Sequence, residues 1–302
     1  MVKVAITDLE YDKAPDVFMN AADFACLKAP TPEPELAGFI IDYNISHVIV
    51  GVEQYRDELY SALPRGGVIA RFGVGHDGID KTLASQKGLY CTNTPGALDD
   101  SVAECAIGLI LTAARHLASC TADNKNNIWK NRVGVELAGK TLAIIGCGNI
   151  GLKTAGIARH GFNMNIVGFD VRQPDNLKNI DLFKLDFAEA VLNADFVSLH
   201  IPDIPATKDF INMERLEMMK KTAYLINTAR GNVVDEVALY DAIQSGAISG
   251  AALDVLKNEP YLPQNIDKDL RSLENVIMTP HIGSSTIEAC TKMAEKALQC
   301  IR

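Results

Sequence analysis

Three side chains in the last third of the 302-residue chain can do acid–base and anion chemistry together. They are Arg230 in Asn227-Thr228-Ala229-Arg230-Gly231, Glu259 in Asn258-Glu259-Pro260, and His281 in Thr279-Pro280-His281-Ile282-Gly283. A histidine exchanges its proton near neutral pH, where its ordinary pKa lies. A carboxylate beside it can bond the second ring nitrogen, fix the ring and favour its protonated form. An arginine offers a planar fork that grips a carboxylate through two parallel hydrogen bonds. Singly, each residue reads as ordinary: a structural histidine before a helix and two solvated loop charges. Together they are the parts needed to move a hydride to or from a small acid, provided that something upstream binds a hydride carrier.

GCGNIG at residues 146–151 has the form of that binding site. It follows the apolar strand pattern Thr141-Leu142-Ala143-Ile144-Ile145 and opens a helix that runs to about His160-Gly161. In such a turn Gly146 permits the tight bend, Gly148 lets the backbone approach a pyrophosphate, and Gly151 allows close packing of helix on strand. The amides near Asn149 and Ile150 then point at the phosphates from the positive end of the helix. Asp170 ends the next strand, 19 residues past Gly151. A carboxylate there accepts hydrogen bonds from ribose hydroxyls and repels a 2′-phosphate, which favours NAD over NADP. Arg172 nearby weakens that preference slightly.

The elements that must position these residues alternate between strand and helix. β-branched runs at residues 2–7, 47–50, 68–71, 141–146, 165–170, 195–200, 223–227, 250–253 and 276–278 predict strands, with helical patterns between them, as at 235–244. This is the signature of an α/β fold with parallel sheets and helices on both faces. Asp99-Asp100-Ser101 with Glu104 reads as a capping box with Ser101 as N-cap. It opens a helix predicted to run to about residue 119 and to bridge two domains. A final helix, from 286 to about 300, is predicted to return to the first domain.

Composition excludes other classes. The chain is 48% hydrophobic and 22% charged, as in ordinary globular proteins. Its net charge of −9 and pI near 5.2 argue against nucleic acid or an anionic membrane as partner. Seven scattered cysteines without a CxxC pair predict reduced thiols in a cytoplasmic protein. Cys147 inside the fingerprint reads as a packing residue. The N-terminal segment does not read as a signal peptide, and the apolar run at 105–114 is too short to span a bilayer. No His, Cys or carboxylate cluster has metal-ligand spacing.

The chain resembles the D-isomer-specific 2-hydroxyacid dehydrogenases along nearly its whole length. RFGVGHDGID at 71–80 is similar to the family's substrate loop and NTPGALDDSVAE at 93–104 to its hinge. GCGNIG, SLHIP at 198–202, NTARG at 227–231, ALDV at 252–255, NEP and TPHIGSST follow in the family's order. The resemblance implies two doubly wound parallel-sheet domains. These are a flavodoxin-like substrate domain, 1–97 plus 285–302, and a Rossmann NAD-binding domain, 98–284. It implies an NAD-dependent oxidoreductase acting on a small D-2-hydroxy or 2-oxo acid, and a homodimer through the cofactor domain. Arg230, Glu259 and His281 match the family's catalytic residues, and the backbone N–H groups of Val74 and Gly75 match its carboxylate-holding loop. Asp254 matches the residue at the nicotinamide carboxamide. His200, Thr207, Thr228, Ala229, Gly283 and His281 itself match positions along the cofactor. His47, His76, His116 and His160 are given no chemistry.

Two alternatives remain open on this scaffold. A phosphite dehydrogenase-like enzyme calls for an additional cation in the substrate loop, with Arg71 as a weak candidate. A non-catalytic NAD(H)-sensing binding protein, similar to the C-terminal-binding corepressors, keeps the same three groups.

Overall fold

The computed structural model describes residues 1–302. The chain forms two compact units, Met1–Leu98 with Ser284–Arg302, and Asp99–Gly283.

In the first unit, strands β1 (Val2–Thr7), β2 (Phe24–Ala29), β3 (His47–Val50), β4 (Val68–Arg71) and β5 (Tyr90–Thr92) form one parallel sheet, ordered β2-β1-β3-β4-β5. That is the flavodoxin-like order. Val48, Ile49 and Val50 are wholly buried, as strands covered on both faces require. The C-terminal helix Ile287–Ile301 belongs to this unit. Thr286 caps it by accepting the Ala289 N–H, and Met293, Ala294 and Ala297 form its buried stripe. Lys296 Nζ donates to the Pro95 carbonyl at 2.6 Å.

In the second unit, seven parallel strands follow: β6 (Thr141–Ile145), β7 (Asn165–Phe169), β8 (Leu182–Lys184), β9 (Phe196–Leu199), β10 (Tyr224–Asn227), β11 (Gly250–Leu253) and β12 (Val276–Met278). Their order is β12-β11-β10-β9-β6-β7-β8, so the winding reverses between β6 and β9. Ligands of such sheets bind beyond the carboxyl ends of the strands at that reversal. Both sheets and their helices have the α/β architecture that the strand–helix alternation predicts.

Three local expectations need correction. Strands β2, β5 and β8 lie at or beside sheet edges with side chains half exposed, so they lack the continuous apolar run that marks the central strands. Ser101 is not an N-cap: the helix already begins at Asp99, and Ser101 is buried, its Oγ donating to the Gly283 carbonyl at 2.7 Å. The helix also stops at Arg115. His116 takes a left-handed φ of 54° and a second helix, Leu117–Lys125, leaves at a 65° bend. That second helix buries none of its residues, so no apolar stripe continues the first helix through it. No single helix is long and apolar enough to cross a membrane.

Candidate active site

Three loops leave the adjacent strands β10, β11 and β12 at their carboxyl ends, and each brings one of the three reactive side chains. The β10 loop is held by the last residue of its own strand. Asn227, fully buried, accepts from the Ala229 N–H at 3.0 Å and donates through Nδ2 to the Arg230 carbonyl at 2.9 Å. Arg230 spends one guanidinium N–H on the Ala229 carbonyl at 2.7 Å. The next residue must be glycine for want of room, since a Cβ on Gly231 would lie 2.0 Å from the backbone carbon of Leu256.

Past β11, Glu259 accepts through Oε1 from the Leu256 N–H at 3.0 Å, which folds the turn back on itself. Its Oε2 lies 2.7 Å from His281 Nδ1. An ionised carboxylate only accepts, so Nδ1 carries the hydrogen and Nε2 is left for a ligand. Burial alone would raise the Glu259 pKa. The His281 hydrogen bond and charge, the Leu256 N–H and the Arg230 charge outweigh it and hold the carboxyl below its ordinary value. Glu259 is therefore the ionised partner at neutral pH. The side chains of His281 and Glu259 are 28% and 34% exposed, so a small ligand can reach the pair.

Past β12, His281 adopts φ 52°, a left-handed conformation that is uncommon outside glycine and costs on the order of 1–3 kcal/mol. Asp254 holds it there. Its backbone carbonyl accepts the His281 N–H at 2.9 Å. Its carboxylate, 1% exposed, accepts from Thr279 Oγ1 at 2.6 Å, Ile282 N–H at 2.9 Å and Gly283 N–H at 2.7 Å. A carboxylate offers about four lone-pair directions. Asp254 thus shapes the histidine loop with three of them.

The glycine turn lies at the carboxyl end of β6, next to the reversal. Gly146 has φ 101°, and a Cβ on it would lie 2.6 Å from the His200 carbonyl oxygen. A Cβ on Gly151 would lie 2.1 Å from the Gly146 carbonyl oxygen, whereas one on Gly148 would meet nothing. Two of the glycines therefore close the turn on the sheet, and the third leaves its outer face open to a phosphate. Gly148 caps the helix Asn149–Phe162 without a side-chain bond, so the amides of Asn149 and Ile150 lie in the first turn, where an anion is favoured.

Asp170 accepts the Cys147 N–H at 2.9 Å and the Val171 N–H at 2.7 Å, one on each carboxylate oxygen. Each oxygen retains a lone pair for a ribose hydroxyl. Burial, with Asp170's charge second, pushes the Cys147 thiol up to about 12, which removes it as a nucleophile and leaves the packing role. Burial also lowers His200 to about 4, and its Nε2 lies 2.9 Å from Ser198 Oγ. His200 is therefore neutral at physiological pH, an uncharged hydrogen-bonding group beside Ser198. Thr207 Oγ1 donates to the Pro202 carbonyl at 2.6 Å and closes its own loop. Thr228, beside the half-buried Ala229, is 8% exposed, and its buried Oγ1 has no hydrogen-bond partner. Such an orphaned hydroxyl fits a site completed by a ligand.

Val74 and Gly75 belong to the first unit and are partly exposed after β4. Asn93 Nδ2 donates to the Val74 carbonyl at 2.7 Å, and the Gly73 N–H donates to Thr94 Oγ1 at 3.0 Å. Arg71 is 7% exposed and donates to the Phe72 carbonyl. Its charge also acts on Glu53, whose carboxyl is pushed up chiefly by burial. Sequence reasoning missed the supporting residues: Asn227, Asp254 as loop former, and Glu236. The signal for each was a polar residue at a strand end or first helical turn, and it indicated capping only.

Comparison with known proteins identifies the family and the fold. Residues 107–283 match the D-isomer specific 2-hydroxyacid dehydrogenase, NAD binding domain. The chain is 40% identical over 293 residues to the D-3-phosphoglycerate dehydrogenase of Methanocaldococcus jannaschii, covering 96% of itself but only 55% of that longer relative. It is 38% identical over 291 residues to the hydroxypyruvate reductase of Thermotoga maritima, covering 95% of itself and 93% of the relative. Among solved structures it is similar to D-lactate dehydrogenase from Aquifex aeolicus, complexed with NAD and lactic acid. The TM-score there is 0.84 at 30% identity, over 99% of this chain and 94% of that one. With the glycine turn, the reversed sheet and a matching family domain over more than half its length, the chain belongs to the D-isomer specific 2-hydroxyacid dehydrogenase family and carries its NAD-binding domain.

Proposed function

We propose that the protein catalyses NAD-linked interconversion of a small 2-oxo acid and its D-2-hydroxy acid, with His281 as acid in reduction and base in oxidation. The observation that carries this reading is the 2.7 Å pairing of His281 Nδ1 with Glu259 Oε2 on partly exposed side chains, with the Arg230 charge acting on the same carboxylate. The names of the relatives, reductases and dehydrogenases of small acids, support it.

When bound, NADH supplies the hydride that reduces C2. Gly146, Gly148, Asn149, Ile150 and Gly151 hold the pyrophosphate, and Asp170 holds the ribose and selects NAD over NADP. Asp254, Thr228, Ala229, Thr207, His200 and Gly283 line the rest. Arg230 anchors the substrate carboxylate and polarises the 2-oxo group. His281 delivers the Nε2 proton to the developing alkoxide, while Glu259 fixes the ring and stabilises the charged imidazole.

We also place the protein in the cytoplasm, on its seven unbridged cysteines. We assign it a homodimer, on the exposed apolar stretch that includes Trp129 and Val133 at 93% and 92% exposure.

The direct test is NADH absorbance with glyoxylate, hydroxypyruvate, pyruvate and branched 2-oxo acids, with phosphite plus NAD as a separate arm. Turnover of at least one 2-oxo acid is expected, faster with NADH than with NADPH. Tight NADH binding with no turnover in any arm would move the protein to the sensor class. Turnover with phosphite alone would replace the substrate class.

A further inference from the structure

The Arg230 loop and the Glu259 turn belong to different strands, and the chemistry above depends on their relative placement. One buried side chain spans them. Glu236 is the first residue of the helix Glu236–Gln244, which begins soon after the Arg230 loop, with Asp235 as N-cap accepting the N–H groups of Val237 and Ala238. Its carboxylate points away from its own helix. Oε1 accepts the N–H of Lys257 at 2.7 Å, from the turn past β11.

The preceding amide, Leu256 N–H, goes to Glu259 Oε1 at 3.0 Å. Two consecutive amides of one turn are thus divided between two glutamates. One faces His281 and the other reaches back to the helix after Arg230. The contact is tight, because Gly231 lies against the Leu256 backbone with no room for a Cβ. Lys257 is fixed at its far end too, where Nζ meets Asp209 Oδ1 at 2.5 Å.

Glu236 is 5% exposed, and its second oxygen, Oε2, is buried without a hydrogen-bond partner. Burying a carboxyl in this way is costly. A residue that served only the helix terminus would sit in solvent, where the same dipole interaction carries no desolvation cost.

We propose that Glu236 is a positioning residue. Through Lys257 N–H it holds the turn bearing Glu259 against the loop bearing Arg230, and so sets the geometry of the Glu259–His281 pair. It touches neither substrate nor cofactor. The consequence for catalysis rests on the function proposed above; the consequence for the hydrogen bond does not.

Three variants test it: Glu236→Gln keeps the acceptor and the length, Glu236→Asp keeps the charge but falls short of Lys257, and Glu236→Ala removes both. The Asp and Ala variants are expected to lose kcat by on the order of 10-fold to 100-fold, the size that small misplacements of catalytic groups produce. KM for the 2-oxo acid and Kd for NADH should stay within a few-fold of wild type. The Gln variant should keep nearly full activity.

The pH profile gives the readout that a merely structural role would not move. Glu259 is held below its ordinary pKa partly by His281 and the Leu256 N–H. A loosened turn lets that pKa rise, so the acidic edge of the kcat profile moves to higher pH in the Asp variant and stays in place in the Gln variant. Proton NMR reads the hydrogen bond itself. The low-field resonance of the His281 Nδ1–H should be present in wild type and Gln and lost in Asp and Ala. An Ala variant that fails to fold leaves the Asp–Gln comparison decisive. Losses equal in Gln and Asp, or an unmoved pH edge with the low-field resonance intact in Asp, would overturn the proposal. If wild type reduces no 2-oxo acid, the functional reading fails, and the NMR comparison still decides the role of Glu236.

Discussion

Replacing His281 by alanine is expected to lower kcat for reduction of the preferred 2-oxo acid by on the order of 100-fold to 10,000-fold, the usual worth of a positioned general acid. The Kd for NADH is expected to stay unchanged. The two effects separate because the groups do. The glycine turn closes on β6 and on the His200 carbonyl, while the His281 loop is held by Asp254 past β11. Removing the imidazole leaves the Asp254 bonds to Ile282 and Gly283 intact, since both are made by backbone amides. The loop keeps its shape and only the proton donor is lost. Initial rates against 2-oxo acid, with fluorescence titration of NADH, check both halves. A variant with near-wild-type kcat would remove His281 from the chemistry and, with it, the reason for the Glu259 pairing.

Arg230→Ala is expected to act on kcat/KM. A forked contact to the substrate carboxylate makes two charge-assisted hydrogen bonds at about 1.5–3 kcal/mol each. Their loss corresponds to roughly 100-fold to 10,000-fold in kcat/KM. Arg230→Lys restores only part of this, because an ammonium is a point donor and cannot reproduce the fork. Removing the guanidinium costs the loop its bond to the Ala229 carbonyl but leaves both Asn227 bonds in place, so the variants should fold, and NADH Kd should again be unchanged. Steady-state kinetics on the three proteins read the result. Equal kcat/KM in Lys and wild type would mean that Arg230 supplies charge alone, and no loss in Ala would place the carboxylate elsewhere.

The chain showed most of this in its letters where a single physical demand fixed a residue. Central strands covered on both faces must be near-continuous apolar runs, so His47–Val50, Val68–Arg71 and Gly250–Leu253 could be located to the residue. The glycine spacing of residues 146–151 carried its own explanation, since the two sites that tolerate no Cβ and the one with open space are those a pyrophosphate turn needs.

What stayed hidden depends on partners far away in sequence. The β8 strand, Leu182–Lys184, is a strand only because β7 pairs with it, and its own residues favour nothing in particular. Ser101 fitted a capping box, but the carbonyl it bonds belongs to Gly283. Local spacing cannot register a contact of that range. Asp254 and Glu236 follow the same logic: each is a carboxylate whose acceptors face amides of another loop. The residues with reactive side chains were legible, whereas those that aim them were not.

On the function proposed above, the protein moves a hydride between the nicotinamide and C2 of a small acid, and His281 handles the proton. NADH deuterated at its transferable C4 position, incubated with the purified protein and its preferred 2-oxo acid, tests that claim in one product analysis. The expected product is a 2-hydroxy acid of D configuration with one deuterium at C2 per NADH consumed. Deuterium-free product, product of L configuration, or NADH bound without any transfer would contradict it.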